Sequence, residues 1–483
     1  MLPELSPEDN DAITTSSKDL QPTLAIIRNP ALDILRGVAV LGALFISIWI
    51  FGGFSTIQQN ELLLQSKGGN YRLWGAMELL LDGKMRALIC IVFGAGMVIF
   101  LSQKTEQVTT ALPDLFIRRQ LWLLGFGLLN ALVFLWTGDI LFQLAVVGIL
   151  LFPFVRMNPR ALWISATVVT LIYCGKIYWN YADDRTAYAK HTAVLAFEKK
   201  ISKDSLLAAE KKIPLKEQKK DSLSAQQKED KAAWEGIVQQ HKHDLKAKDN
   251  GVKEVRNAEF GKIWDHFLQA TQGREARWTY QTGVWDVGGM MLLGMALFKK
   301  RFFETNFPKS RYLLLGIACI AVGILLGWYR LQFQQYALRD YTKYVIGHWT
   351  PFNLLFPLER AFLTVGYAAG ILFLFRSGLL RFVWTAFEKV GKLALTNYLF
   401  QSIFCLVFFT GFGMGYFGRL QQYQLFLFAL EICIVQIVFS VFWLRYFTYG
   451  PAEWLLRCLM HWKWLPIKTH NKKSPASALP IHL

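Results

Sequence analysis

The stretch Asn29-Pro-Ala-Leu-Asp-Ile-Leu-Arg-Gly-Val-Ala-Val-Leu-Gly-Ala-Leu-Phe-Ile-Ser47 decides the fold. It opens a membrane-spanning helix, and it carries an acid and a base, Asp33 and Arg36, at the mouth. A spacing of three puts both side chains on one helix face. Charges at the edge of a span are expensive in lipid and mark either a site or a clamp.

Working outward, 53% of the 483 residues are hydrophobic and only 18% are charged, too apolar for a soluble chain of this length. The apolar residues fall into runs of about 18–22, the length that crosses a hydrocarbon core as helix. Backbone polar groups in lipid must be satisfied internally, and no short alternating segments suggest a barrel. The fold class expected is all-α, a polytopic membrane bundle of about ten transmembrane helices. The spans fall near 32–53, 84–102, 119–137, 139–156, 160–181, 279–298, 311–329, 353–376, 389–411 and 424–446. Residues 74–83 read as an amphipathic lead-in at the interface.

The net charge of +18 does not point to nucleic acid, because the basic residues sit at span ends and in one mixed-charge loop. Six cysteines without paired spacing make neither a disulfide framework nor a zinc site. The first 28 residues lack a signal-peptide pattern. Short-loop charge sets the orientation. Lys104, Arg118, Arg119, Arg156, Arg160, Lys299, Lys300, Arg301, Arg376, Arg381, Lys389, Arg457, Lys463, Lys472 and Lys473 fall on one side. Lys67, Arg72, Arg330, Arg339, Lys343 and Arg419 fall on the other. The positive-inside rule then places both termini in the cytoplasm.

That divides the chain into a cytoplasmic tail (1–28), an N-terminal membrane half (29–181), a hydrophilic extracytoplasmic insertion (182–278), a C-terminal membrane half (279–460) and a basic tail (461–483). Anchors such as Phe197, Trp234, Ile237, Trp264 and Phe267 recur at helical spacing in the insertion, which reads as two or three amphipathic helices. A polyampholyte linker is the alternative.

Polar residues inside spans normally face the bundle interior or a watery cavity. With this topology Ser47, Lys84, Arg86, Asn130, Asp139, Asp286, Glu359, Arg360, Asn397 and Gln401 gather toward the extracytoplasmic side. They make an outward pocket, or else pair off between helices. Asp33 and Arg36 sit apart at the cytoplasmic mouth, where Asp33 suits the helix dipole and Arg36 could hold a phosphate of a cofactor. No span contains a histidine, so the commonest general base is missing from the membrane. No zinc spacing, phosphate-cradling loop or nucleophile elbow occurs. Gly94-Ala-Gly96 and Gly288-Gly-Met-Met-Leu-Leu-Gly294 read as faces for close helix packing.

Several motifs together resemble the YeiB-type family of bacterial integral membrane proteins. They are Leu32-Asp-Ile-Leu-Arg-Gly37, Phe93-Gly-Ala-Gly-Met97, Thr137-Gly-Asp-Ile-Leu141, Met290-Met-Leu-Leu-Gly-Met-Ala-Leu297, Gly391-Lys-Leu-Ala-Leu-Thr-Asn-Tyr-Leu-Phe-Gln-Ser402 and Gly450-Pro-Ala-Glu-Trp-Leu-Leu-Arg457. The first spans are also distantly similar to heparan-glucosaminide acetyltransferases and sugar O-acetylases, which share a Leu-Asp-x-Leu-Arg opening. That resemblance implies acyl transfer from cytoplasmic acyl-CoA, bound near Asp33 and Arg36, to an envelope sugar or lipid. Two positions depart from it: Ser47 stands where the O-acetylases have histidine, and Asn130 where YeiB-type relatives tend to have one. Asp286 and Glu359 are then the remaining candidate bases, if desolvated. The alternatives are a transporter or exporter of a small polar or amphipathic compound, and a non-catalytic scaffold, with homo-oligomers open, whose insertion binds an envelope partner.

Overall fold

The computed structural model describes residues 29–54, 56–102, 112–210, 223–241, 252 and 255–468. Expectations for the first 28 residues, for Lys104 and for Lys472 and Lys473 lie outside these residues. Among the described residues there is no β-strand, only one isolated bridge between Phe447 and Lys468. In chain order the helices are α1 Pro30–Phe51, α2 Thr56–Gln65, α3 Gly69–Leu80, α4 Lys84–Leu101, α5 Leu112–Leu132, α6 Leu141–Leu150, α7 Pro159–Glu210, α8 Ala225–His241 and α9 Phe260–Gln272. A π-helical turn, Gly273–Gly283, joins α9 to α10 Val284–Lys299. Then come α11 Lys309–Arg339, α12 Tyr341–Gly347, α13 Phe356–Arg376, α14 Arg381–Lys392, α15 Ala394–Phe409, α16 Gln422–Tyr446 and α17 Pro451–His461.

Local chemistry explains the first of these. The Asn29 side chain accepts a hydrogen bond from the Ala31 amide at 3.0 Å, Pro30 opens the helix, and Asp33 lies in its first turn. The helix stops at Gly52 and Gly53, the latter with φ of 76°.

Among the described residues six helices are long and apolar enough to cross a membrane, against the ten read from the sequence. They are Pro30–Phe51, Gly69–Leu101, Pro159–Lys203, Lys309–Arg339, Phe356–Arg376 and Gln422–Tyr446. A seventh is the pair α14–α15, bent by 79°. The remaining three sequence spans fall short for separate reasons. α5 carries Asp114, Arg118 and Arg119 in its first turns. α6 has only 10 residues, about 15 Å of helix. α10 has 16 residues and sits inside the bundle, with Val287 through Leu297 buried. The lead-in at 74–83 lies within the Gly69–Leu101 segment instead of apart from it.

Glycines set the closest crossings. A side chain on Gly94 would strike the Met291 carbonyl, and one on Gly294 would strike the Ile91 carbonyl. α4 and α10 therefore meet backbone to backbone. Gly37 and Gly391 do the same for α1 and α14, against the carbonyls of Phe387 and Asp33.

The hydrophilic region is continuous with the bundle. α7 runs 52 residues without a break and α8 packs back on it. Trp234, Tyr181, Tyr341 and Tyr344 bury together beneath this hairpin. The last part of the region, from 255, belongs to the bundle's own core: Val255 and Ile263 are fully buried, and Trp264 Nε1 donates to the Leu132 carbonyl at 2.9 Å.

Candidate functional site

At the end of the bundle where α1 begins, a cavity of about 300 Å³ runs inward between α1, α4, α5, α6, α14, α15 and α17. Its mouth is basic: Arg36, Arg119, Lys392, Arg457 and His461 line it. Its walls are apolar, with Val40, Ile89, Phe93, Leu123 and Leu144. Its inner end is Tyr398 beside Ile140.

The cations differ in their partners. Arg36 donates to Asp33 at 2.8 Å, and Lys392 pairs with Glu388 at 2.6 Å. Among the described residues Arg119 has no carboxylate partner: its guanidinium stands 5.1 Å from the Phe93 ring centroid and 5.9 Å from that of Phe100. The charges that act on it are those of Arg36 and Arg457, both repulsive. An unpaired guanidinium in an apolar cavity is costly unless an anion joins it.

Glu453 closes one wall. It accepts from the backbone amides of Leu395 and Thr396 at 2.7 and 3.1 Å and from the Thr396 hydroxyl at 2.5 Å. It thereby caps α15 at the sharp bend after α14. Burial pushes its carboxyl above the usual range, while these donors pull it back. Burial pulls the His461 imidazole below its ordinary value, and Arg457, Lys463 and Arg118 act in the same direction.

The inner end is a buried polar relay. Tyr398 Oη accepts from Trp136 Nε1 at 3.0 Å and from the Ile140 amide at 3.2 Å, and donates to Asp139 at 3.2 Å. Asp139 also accepts from Asn130 at 2.7 Å and from the Phe142 amide at 2.9 Å. The Thr137-Gly-Asp139 turn thus ties α5, α6 and α15 together.

Of the candidates read from the sequence, Asp33 and Arg36 line this cavity, Asp139 and Asn130 stand behind its inner end through Tyr398, and the others lie away from it. The others resolve into separate groups. Asp286 is held by Arg360 through both guanidinium nitrogens, one at 2.9 Å. Glu359 is held by Lys84 at 2.7 Å and by Arg330 at 2.8 Å, and Arg330 also reaches Glu78 at 3.0 Å. Lys84, Arg330 and Arg360 all approach the Phe356 ring. Asn397 donates to Ser440 at 3.0 Å and Gln401 to Gln436 at 2.9 Å, which ties α15 to α16. Ser47 is half-buried in α1, and Arg86 stands 5.6 Å from the Trp278 ring centroid. Arg330, placed in an outer loop by its charge, is buried within α11 because that helix continues to Arg339.

Sequence reading missed Arg119 as a site residue by counting it as a loop charge, whereas α5 has already begun at Leu112. Tyr398 and Glu453 lie within two of the quoted motifs, where their polarity beside small residues was the available signal.

The bundle and its basic-mouthed cavity define a polytopic helical membrane protein. Residues 297–463 match the family described as "Protein of unknown function (DUF418)". The chain is 25% identical over 464 residues to the uncharacterized protein YxaH of Bacillus subtilis (strain 168), covering 94% of this chain and 99% of YxaH. It is 27% identical over 442 residues to the uncharacterized protein YeiB of Escherichia coli (strain K12), covering 89% and 96%. An uncharacterized 39.9 kDa protein of Bacillus acidopullulyticus is 31% identical over 119 residues, 25% of this chain and 30% of that protein. No solved structure matches. The chain is thus similar over most of its length to YxaH and YeiB, and its C-terminal side carries the match to DUF418.

Proposed function

We propose that the cavity binds the phosphate-bearing, apolar-armed end of an acyl-CoA and that the protein transfers the acyl group to a hydroxyl of an envelope sugar or lipid. The observation that carries this reading is Arg119, a half-buried guanidinium that lines the cavity between Arg36 and Arg457 with no carboxylate partner among the described residues. Guanidinium groups suit bidentate phosphate binding. The apolar walls suit a pantetheine arm and a short acyl chain, and the opening faces the cytoplasm if the positive-inside orientation holds.

In the proposed step the acceptor hydroxyl oxygen bonds to the thioester carbonyl carbon, and the carbon–sulfur bond breaks. The hydroxyl proton ends on the departing CoA sulfur. Tyr398 hydrogen-bonded to Asp139 is the proton relay nearest the cavity's inner end. This assigns the relay to different carboxylates from Asp286 and Glu359, which are held in ion pairs and position the bundle.

The test is binding of CoA and acetyl-CoA to purified protein, wild type beside Arg119→Gln and Arg36→Ala, followed by acyl transfer to hydroxyl acceptors. A second reading, transport of an amphipathic anion, is favoured by the 79° break between α14 and α15, since broken helices mark transporter sites. Ligand-dependent flux in proteoliposomes without product modification would favour it. In either case the α7–α8 hairpin is placed on the extracytoplasmic side, available to an envelope partner.

A further inference from the structure

Behind the inner end of the cavity lies a second polar cluster. The π-helical turn Gly273–Gly283 presents Arg274, Glu275 and Trp278 toward Arg86 of α4 and Gln143 of α6. π-helical turns inside longer helices are frequent at functional sites. The Arg274 guanidinium stands 3.6 Å from the Trp278 ring centroid, and that of Arg86 stands 5.6 Å from it. Among the described residues neither arginine forms a salt bridge.

The buried atoms here are poorly satisfied. Among the described residues Arg86 Nε, Arg274 Nε and Arg274 Nη2 donate to nothing, and Glu275 Oε1 and Gln143 Oε1 accept from nothing. Gln143 is fully buried and Glu275 is 7% exposed. Glu275 and Gln143 touch only through a long 3.5 Å contact between their other atoms. Arg86, Arg274 and Trp278 are half-buried, so the cluster reaches the surface. Buried polar groups in native proteins are almost always partnered, and a group of orphans in one place calls for a partner from outside.

The orphans also define its chemistry. Unpaired guanidinium N–H groups call for an oxyanion. Carboxyl and amide oxygens call for hydroxyl donors. The geometry points to a second binding site, built from Arg86, Arg274, Glu275 and Gln143, for a phosphorylated polyol such as glycerol phosphate, free or as a lipid headgroup. This site is separate from the acyl-donor cavity, and its test does not depend on that reading.

The experiment uses full-length protein and reads its unfolding temperature. One arm adds glycerol 1-phosphate, glycerol or inorganic phosphate to detergent-purified protein. The other compares phosphatidylcholine nanodiscs with and without phosphatidylglycerol. Wild type, Arg274→Gln, Glu275→Gln and the neighbouring exposed control Arg277→Ala are compared. Stabilisation by glycerol 1-phosphate, weakened about tenfold or more in Arg274→Gln and unchanged in Arg277→Ala, supports the site with a soluble source. Stabilisation by phosphatidylglycerol alone, with the same dependence, supports it with a lipid source. Glu275→Gln is expected to weaken glycerol 1-phosphate more than inorganic phosphate, because its carboxylate meets the hydroxyls. Equal effects of all probes on wild type and Arg274→Gln overturn the proposal, as does stabilisation by inorganic phosphate with nothing gained from the polyol. A circular-dichroism spectrum matching wild type qualifies each variant, and Glu275→Gln keeps the test open if Arg274→Gln fails to fold.

Discussion

At the scale of single residues, the contrast between Arg119 and Arg360 is the informative one. Arg360 is buried and paired with Asp286 through both of its Nη atoms. Removing one partner of such a pair strands the other, so Asp286→Asn is expected to cost about 3–5 kcal/mol of stability. The double variant Asp286→Asn with Arg360→Met is expected to recover most of that loss, and chemical or thermal unfolding measures both. Arg119 is repelled by Arg36 and Arg457, so Arg119→Gln is expected to leave the unliganded protein as stable or more so. His461 adds a pH dependence. Its folded value is depressed, so between about 6.5 and that value the unfolded chain holds more protons. Stability from His461 is therefore complete above about 6.5 and is lost as pH falls through the folded value. An anion at the mouth raises that value again. Binding of CoA is then expected to tighten as pH falls from about 7.5 to 6, relative to His461→Gln, by about two- to threefold. Taking the difference between the two proteins cancels titration of the CoA phosphates. The Asp33–Arg36 contact was legible because a spacing of three on one helix face is a local property. The partner of Asp286 was not legible, since it depends on the rotation of α10 against α13, which periodicity does not encode.

At the scale of elements, glycine pairs decide where helices cross. Gly94 and Gly294 leave no room for a β-carbon between α4 and α10. Gly294→Ala is expected to destabilise by about 1–3 kcal/mol as the two backbones separate, while Gly96→Ala, where nothing lies within 4 Å, is expected to be near neutral. Unfolding midpoints of the two variants make the comparison. The glycine faces were readable as packing surfaces, since small residues recur on one side of each apolar run. Which helices are long enough to cross by themselves was not: α6 and α10 are as apolar as the long helices but have 10 and 16 residues and pack within the bundle. α14 and α15 read as one span, whereas Leu393 breaks them and Glu453 caps the second half from α17. That cap comes from 58 residues away, beyond the reach of any local pattern.

At the scale of the whole molecule, the hydrophilic region divides in two. The α7–α8 hairpin stands on the aromatic layer of Trp234, Tyr341 and Tyr344, while residues from Val255 onward are part of the bundle core. Replacing 196–240 by a short linker is expected to leave a folded protein that still binds CoA. Extending the deletion through 272 removes Ile263 and Trp264 from the core and is expected to abolish folding, as size-exclusion profiles would report. The boundary was not legible because both parts share the same mixed-charge composition. The all-helical membrane class was legible, because chain-wide apolarity leaves a lipid-embedded backbone no other solution. The proposed acyl-CoA site stands on Arg119 holding the phosphates at the basic mouth of the cavity. Isothermal titration of acetyl-CoA into purified wild type and Arg119→Gln is the direct test. Saturable binding to wild type, weakened about tenfold or more in the variant, is expected. Absence of binding at millimolar ligand, or equal affinity for both proteins, would contradict it.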